Sequence, residues 1–73
     1  MLKKLLIIGA GGFGREVLAW AQDAQKVPGA EWTVAGFLDG NTKALQGFDI
    51  DLPIVGDPAT YQPAADDCFV CAI

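Results

Sequence analysis

A chain of 73 residues, 52% hydrophobic and 19% charged, with mean hydropathy +0.32, holds at most one domain. It is too apolar for a disordered segment, and its two cysteines cannot build a disulfide scaffold. Five basic against nine acidic residues, net −4 with a pI near 4.3, leave no basic surface for non-specific nucleic-acid binding or for attraction to an anionic membrane. Any phosphate the chain holds must be held mostly by backbone N–H groups and helix ends.

Lys3 and Lys4, followed by Leu5, Leu6, Ile7 and Ile8, have the make-up of a secretory leader's first residues. The apolar run then breaks on Gly9, Gly11, Gly12 and Gly14, and Arg15 and Glu16 arrive too early for a spaced cleavage site. No stretch approaches the ~20 apolar residues that cross a bilayer, so the expected location is cytoplasmic. Residues 5–8 are apolar without alternation and bounded by glycine, which predicts a strand buried on both faces of a parallel sheet. From Gly12 to Ala24 the period becomes helical. Phe13, Val17, Trp20, Ala21 and Ala24 form the predicted apolar stripe, with Arg15, Glu16, Gln22, Asp23 and Lys26 on the wet side. Pro28 and Gly29 close the element.

Residues 32–38 are rich in β-branched and aromatic side chains, and 33–38 predict a second strand that ends at the turn signal Asp39, Gly40, Asn41. Residues 41–51 read as a loop with room for one helical turn. Residues 52–55 predict a short strand. After it, Pro58 to Tyr61 suit the start of a short helix capped by Asp57. Residues 68–73 form another continuous apolar run. A buried-type strand with no covering helix after it implies the front part of a longer chain. The expected architecture is α/β: a Rossmann-like parallel half-domain, β-α-β plus two further strands, joined by right-handed connections.

Gly9, Gly11 and Gly14 satisfy the G-x-G-x-x-G spacing between a strand and a helix. In that pattern the first glycine turns the strand sharply, the second lets a phosphate approach the backbone, and the third lets helix and strand pack closely. The helix N-terminus adds unpaired N–H groups and a partial positive charge. The same spacing also suits a tight turn with no ligand. Asp39 lies roughly where a Rossmann-type carboxylate accepts a ribose hydroxyl; it equally suits the local turn. Arg15, in the first helical turn, either reaches a phosphate or faces water. Cys68 and Cys71 mimic a redox or zinc half-site, but residues three apart on a strand point to opposite faces, and both are expected in the core. Trp20 and Trp32 are expected to pack rather than stack a base. With no histidine and no supported carboxylate pair, no catalytic group and no metal ligand set is expected.

Residues 6–17 (Leu-Ile-Ile-Gly-Ala-Gly-Gly-Phe-Gly-Arg-Glu-Val), 34–39 (Val-Ala-Gly-Phe-Leu-Asp) and 52–57 (Leu-Pro-Ile-Val-Gly-Asp), in that order, resemble the N-terminal domain of bacterial sugar O/N-acyltransferases. These are of the sialic-acid O-acetyltransferase and UDP-4-amino-sugar N-acetyltransferase type. The last residues, 69–73, resemble the strand that leads into a glycine-bearing substrate loop. The resemblance implies a domain that binds a nucleotide-sugar acceptor of the UDP- or CMP-sugar class. Gly9, Gly11, Gly12, Phe13 and Gly14 would lie near the pyrophosphate or sugar, and Asp39 near the nucleotide. It further implies a C-terminal left-handed β-helix that supplies a catalytic histidine, binds acetyl-CoA and forms a homotrimer. Residues 1–73 carry no part of that β-helix, and no cofactor is expected on them. The chain departs from the family at Gly40, where many members have a second acidic residue, and at Phe13, where many have a polar one, often His. Both positions bear on the sugar accepted. An NAD(P)-binding module of an oxidoreductase or sensor is the alternative for the first 40 residues, and a purely structural domain is a third reading.

Overall fold

The computed structural model describes residues 2–73 and contains four strands and one helix: β1 (Lys3–Ile8), α1 (Gly12–Gln25), β2 (Trp32–Leu38), β3 (Ile54–Gly56) and β4 (Asp67–Cys71). All strand pairs are parallel and the sheet order is β3-β2-β1-β4, a Rossmann-like α/β arrangement. β1 is therefore an inner strand, flanked by β2 on one side and β4 on the other, both of which follow it in the chain.

One face of the sheet carries Leu5, Ile7, Val34 and Phe37, which pack with Leu18 and Ala21 of α1. Residues from the β2–β3 connection, including Ala44, Leu45, Ile50 and Leu52, close over the same face. Leu6 and Leu38 are buried outside that cluster. On this second side Tyr61, from the β3–β4 connection, meets the Phe69 ring edge-on with centroids 6.3 Å apart. Its hydroxyl donates to Asp67 Oδ2 at 2.7 Å, while the Ala64 N–H donates to the same oxygen at 2.9 Å. These bonds pin the crossover to the start of β4 and hold the Asp67 carboxyl below its ordinary pKa, the Ala64 amide being the larger cause.

Several boundaries differ from expectation. β1 begins two residues earlier, because the Lys3 and Lys4 N–H groups pair with the carbonyls of Glu31 and Asp66. β3 is shifted towards Gly56, and β4 runs from Asp67 to Cys71, although the Ala72 N–H still donates to the Ile8 carbonyl. The helix expected after Pro58 is a single turn: Asp57 Oδ1 accepts from the Ala59 N–H, and no helix follows. Residues 42–47 form consecutive turns.

The apolar stripe of α1 requires the main correction. Phe13, Trp20 and Ala24 are exposed and Val17 is half-buried; the ridge that faces the sheet is Gly14, Leu18 and Ala21. Gly14 and Ala21 let the helix axis approach closely, and Phe13 and Trp20, each one residue before a ridge position and so about 100° round the cylinder, cannot share that contact. Trp20 is thus not core, whereas Trp32 is half-buried against the cluster. Cys68 packs against the core, but Cys71, on the opposite face, is exposed. The core expectation holds for only one of the two thiols. Among the described residues no helix is long and apolar enough to cross a membrane.

Candidate functional site

The C-terminal ends of β1, β2 and β4 surround a cleft of about 450 Å³. Open parallel sheets bind ligands at this edge, where neighbouring connections leave the sheet in opposite directions. Gly9, Gly11, Gly12 and Phe13 form one wall, Leu38, Asp39 and Gly40 a second, and Ala72 and Ile73 a third, with Pro58 at the margin. Of the residues expected at the site, Gly9, Gly11, Gly12, Phe13 and Asp39 line the cleft directly. Gly14 does not; it is buried beneath the turn.

The glycines divide the work. Gly9 has φ +104°, a conformation that side chains with a Cβ rarely adopt, and an added Cβ would meet the Ala72 carbonyl oxygen at 2.8 Å. Its N–H donates to the Leu38 carbonyl at 2.8 Å, so Gly9 shapes the turn and offers no donor to the cleft. Ala10 is likewise committed, its N–H donating to Asp39 Oδ2 at 2.8 Å. The cradle therefore starts later than the motif does. The N–H groups of Gly11, Gly12, Phe13 and Gly14 have no partner among the described residues, and the α1 N-cap, Gly11, makes no side-chain cap. Four orphan donors at a helix start are what an anion satisfies.

Asp39 serves both readings of the sequence. Oδ1 accepts from the Asn41 N–H at 2.8 Å, a local turn bond, while Oδ2 spans to the glycine turn through Ala10. Those two bonds, Ala10 first, hold its carboxyl below the ordinary value of 3.8, against a small opposing effect of burial. A group depressed in the folded state stabilises the fold above its unfolded pKa and loses that contribution as pH falls through the folded value. Asp39→Asn is accordingly expected to lower the urea midpoint at neutral pH by the equivalent of about 1 kcal/mol, the net worth of an ordinary hydrogen bond. Its stability should also fall less than the wild type's as pH drops below about 4; parallel acid limbs would contradict this.

Arg15 neither reaches into the cleft nor simply faces water. Its Nη1 donates to the Ala10 carbonyl at 3.3 Å, and its guanidinium lies 3.7 Å from the centroid of the Phe48 ring. It ties the β2–β3 connection to the glycine turn. Phe13 stands half-exposed at the cleft wall, its ring braced edge-to-face by Trp20 at 6.3 Å. Leu38, Pro58, Ala72 and Ile73 were not expected as site residues, whereas Gly40 was singled out as bearing on the sugar accepted. Their presence follows from strand order, which only the last-residue positions of the predicted strands hint at. No group of three or more His, Cys, Asp or Glu side chains that could hold a metal occurs among the described residues.

No curated protein and no solved structure is matched by the chain. Residues 4–73 match the family model of the PglD N-terminal domain, PglD being an acetyltransferase that acts on a nucleotide sugar. With a Rossmann-like sheet, a glycine turn heading α1 and nearly every residue inside the match, the chain belongs to the PglD N-terminal domain family.

Proposed function

We propose that this domain binds the nucleotide-sugar acceptor of an acetyltransferase, with the diphosphate on the free amides of Gly11, Gly12, Phe13 and Gly14. The observation that carries the reading is the run of unpartnered N–H groups at the head of α1, of which those of Gly11, Gly12 and Phe13 belong to residues lining the cleft, in a chain of net charge −4. With no lysine or arginine among the cleft-lining residues, backbone dipoles are the means by which this protein attracts an anion there. Asp39, across the cleft, keeps lone pairs on both oxygens for hydroxyl donors.

The domain's contribution to catalysis is positional. Fixing the acceptor so that its amine or hydroxyl faces an acyl thioester turns an encounter between two molecules into a step within one complex. The thioester, acetyl-CoA, is assigned to a C-terminal left-handed β-helix in a longer cytoplasmic chain. By the resemblance to the sugar acyltransferases, that domain would also supply a catalytic histidine, a residue type that residues 1–73 do not contain, and the homotrimer contacts.

Calorimetry tests the assignment. A UDP-sugar or CMP-sugar is expected to bind with a dissociation constant in the ~1 μM–1 mM range ordinary for enzyme substrates, and NAD more weakly or not at all. Binding of NAD with no nucleotide sugar bound would replace this reading with that of a dinucleotide module.

A further inference from the structure

The apolar stripe of α1 turns away from the sheet, yet its spacing is regular. Phe13, Val17, Trp20 and Ala24 recur at steps of four, three and four, and Val27, just past the C-cap, adds a step of three. Trp20 is 62% exposed, Val27 60% and Phe13 49%. Apolar residues scattered singly over a surface are ordinary; a continuous line of them is not. Alternating steps of three and four are the seam on which a second helix packs, at a crossing angle of about 20°.

The seam borders a groove of about 370 Å³ in which every lining residue is apolar. Val17, Trp20, Ala21 and Ala24 form the helix wall, and Leu5, Trp32 and Val70, from three adjacent strands, form the floor. Parallel sheets bury such a face under helices, so wall and floor each call for one. The seam's outer flank is acidic. Glu16 and Asp23, both exposed, stand one residue before Val17 and Ala24. Lys26 lies 4.0 Å from Asp23, while Glu16 has no ion-pair partner among the described residues.

We infer that this groove docks an amphipathic helix of another protein, one with apolar residues at heptad spacing and lysine or arginine along the flank that meets Glu16 and Asp23. A second copy fits poorly. Two α1 seams packed antiparallel would set these carboxylates against each other, in chains that each carry a net charge of −4. The chain's own continuation fits poorly too. A unit adding a strand outside β4 runs opposite to β1-α1-β2, so right-handedness places its helix on the other face of the sheet.

Both tryptophans of the chain line the groove, so intrinsic fluorescence reports its occupation. The probes are two tryptophan-free peptides of three heptads, with leucine at a and d and either lysine or glutamate at e and g. The lysine peptide is expected to bind the full chain with a blue shift, and the glutamate peptide at least about tenfold more weakly. Trp20→Ala, which changes no charge and removes an exposed side chain, should weaken the lysine peptide by about thirtyfold, the weight of a hot-spot tryptophan, with Trp32 still reporting. Glu16→Lys with Asp23→Lys should invert the preference between the peptides, and thermal melts check that both variants fold. Failure of the lysine peptide to bind, equal binding of the two peptides, or full affinity in folded Trp20→Ala overturns the inference. Sedimentation is expected to show a monomer; a dimer dispersed by Trp20→Ala would give the groove to a second copy and overturn it as well. In the longer chain proposed above, Trp20 should stay open to acrylamide quenching. A shielded Trp20 there would give the groove to the chain's own later residues and likewise overturn the partner.

Discussion

Gly14→Ala is expected to lower stability by about 2 kcal/mol or more, although alanine is the better helix former by about 1 kcal/mol. The reason is steric and local. A Cβ at this position would fall on the carbonyl oxygen of Gly9, with the carbonyl carbon 2.8 Å away and the Phe37 ring at 3.9 Å. The obstruction is backbone, held in place by the Gly9 bond to Leu38, so no side chain can swing aside. α1 would have to lift from the sheet and loosen the contacts of Leu18 and Ala21 with Leu5, Ile7 and Phe37. A chain this size is stabilised by only about 4–11 kcal/mol in total, so such a loss is a sizeable share. Gly12→Ala is the control: the nearest atom is Arg15 Nη2 at 3.9 Å, and the change should be neutral or mildly stabilising. Neither glycine has a positive φ, so backbone strain does not blur the comparison. A urea midpoint for Gly14→Ala at or above that of the wild type would refute the close-packing role.

Much of this arrangement was legible because it is encoded locally. Leu5, Leu6, Ile7 and Ile8 between lysines and glycines can hardly be anything but a central strand, and the glycine spacing announces the turn and the helix after it. The misreadings come from properties that adjacent strands create. The apolar arc of α1 is wider than the contact it makes, and periodicity alone does not say which flank descends. Gly14 decides that, because only the ridge containing it can approach the Gly9 carbonyl. The β3 boundary was displaced because a three-residue edge strand, half-buried at Ile54 and Gly56 and exposed at Val55, is too short for its pattern to fix its ends. Asp39 read as either turn former or ligand acceptor, and the fold uses one oxygen for the turn and the other for Ala10, 29 residues away. That reach depends on which strand ends are neighbours. No window of sequence contains that information.

Gly11→Val is expected to leave the fold nearly intact and to abolish measurable diphosphate binding. The two halves of the expectation have separate grounds. For the fold, no atom of the protein lies within 4 Å of a Cβ at this position, and the backbone, φ −75° and ψ −163°, is extended and open to a β-branched residue. The cost is confined to exchanging glycine for a poorer N-cap, about 0.5–1 kcal/mol. For binding, the space that accepts the new side chain is the space in front of the free amides, since Gly11 lines the cleft and heads the helix. The isopropyl group leaves the donors in place yet holds an anion beyond hydrogen-bond distance, at which charge-assisted bonds of the 2.7–2.9 Å kind cannot form. Calorimetry with pyrophosphate and UDP should show at least a ~100-fold loss, the worth of two such bonds, beside a melting curve close to the wild type's. The contrast with Gly14→Ala is the sharper test: one motif glycine fails in folding and its neighbour three residues earlier fails in binding. Full affinity in a folded Gly11→Val chain would mean that the amides at the head of α1 do not hold the ligand, and the acidic protein would then need some other source of positive potential.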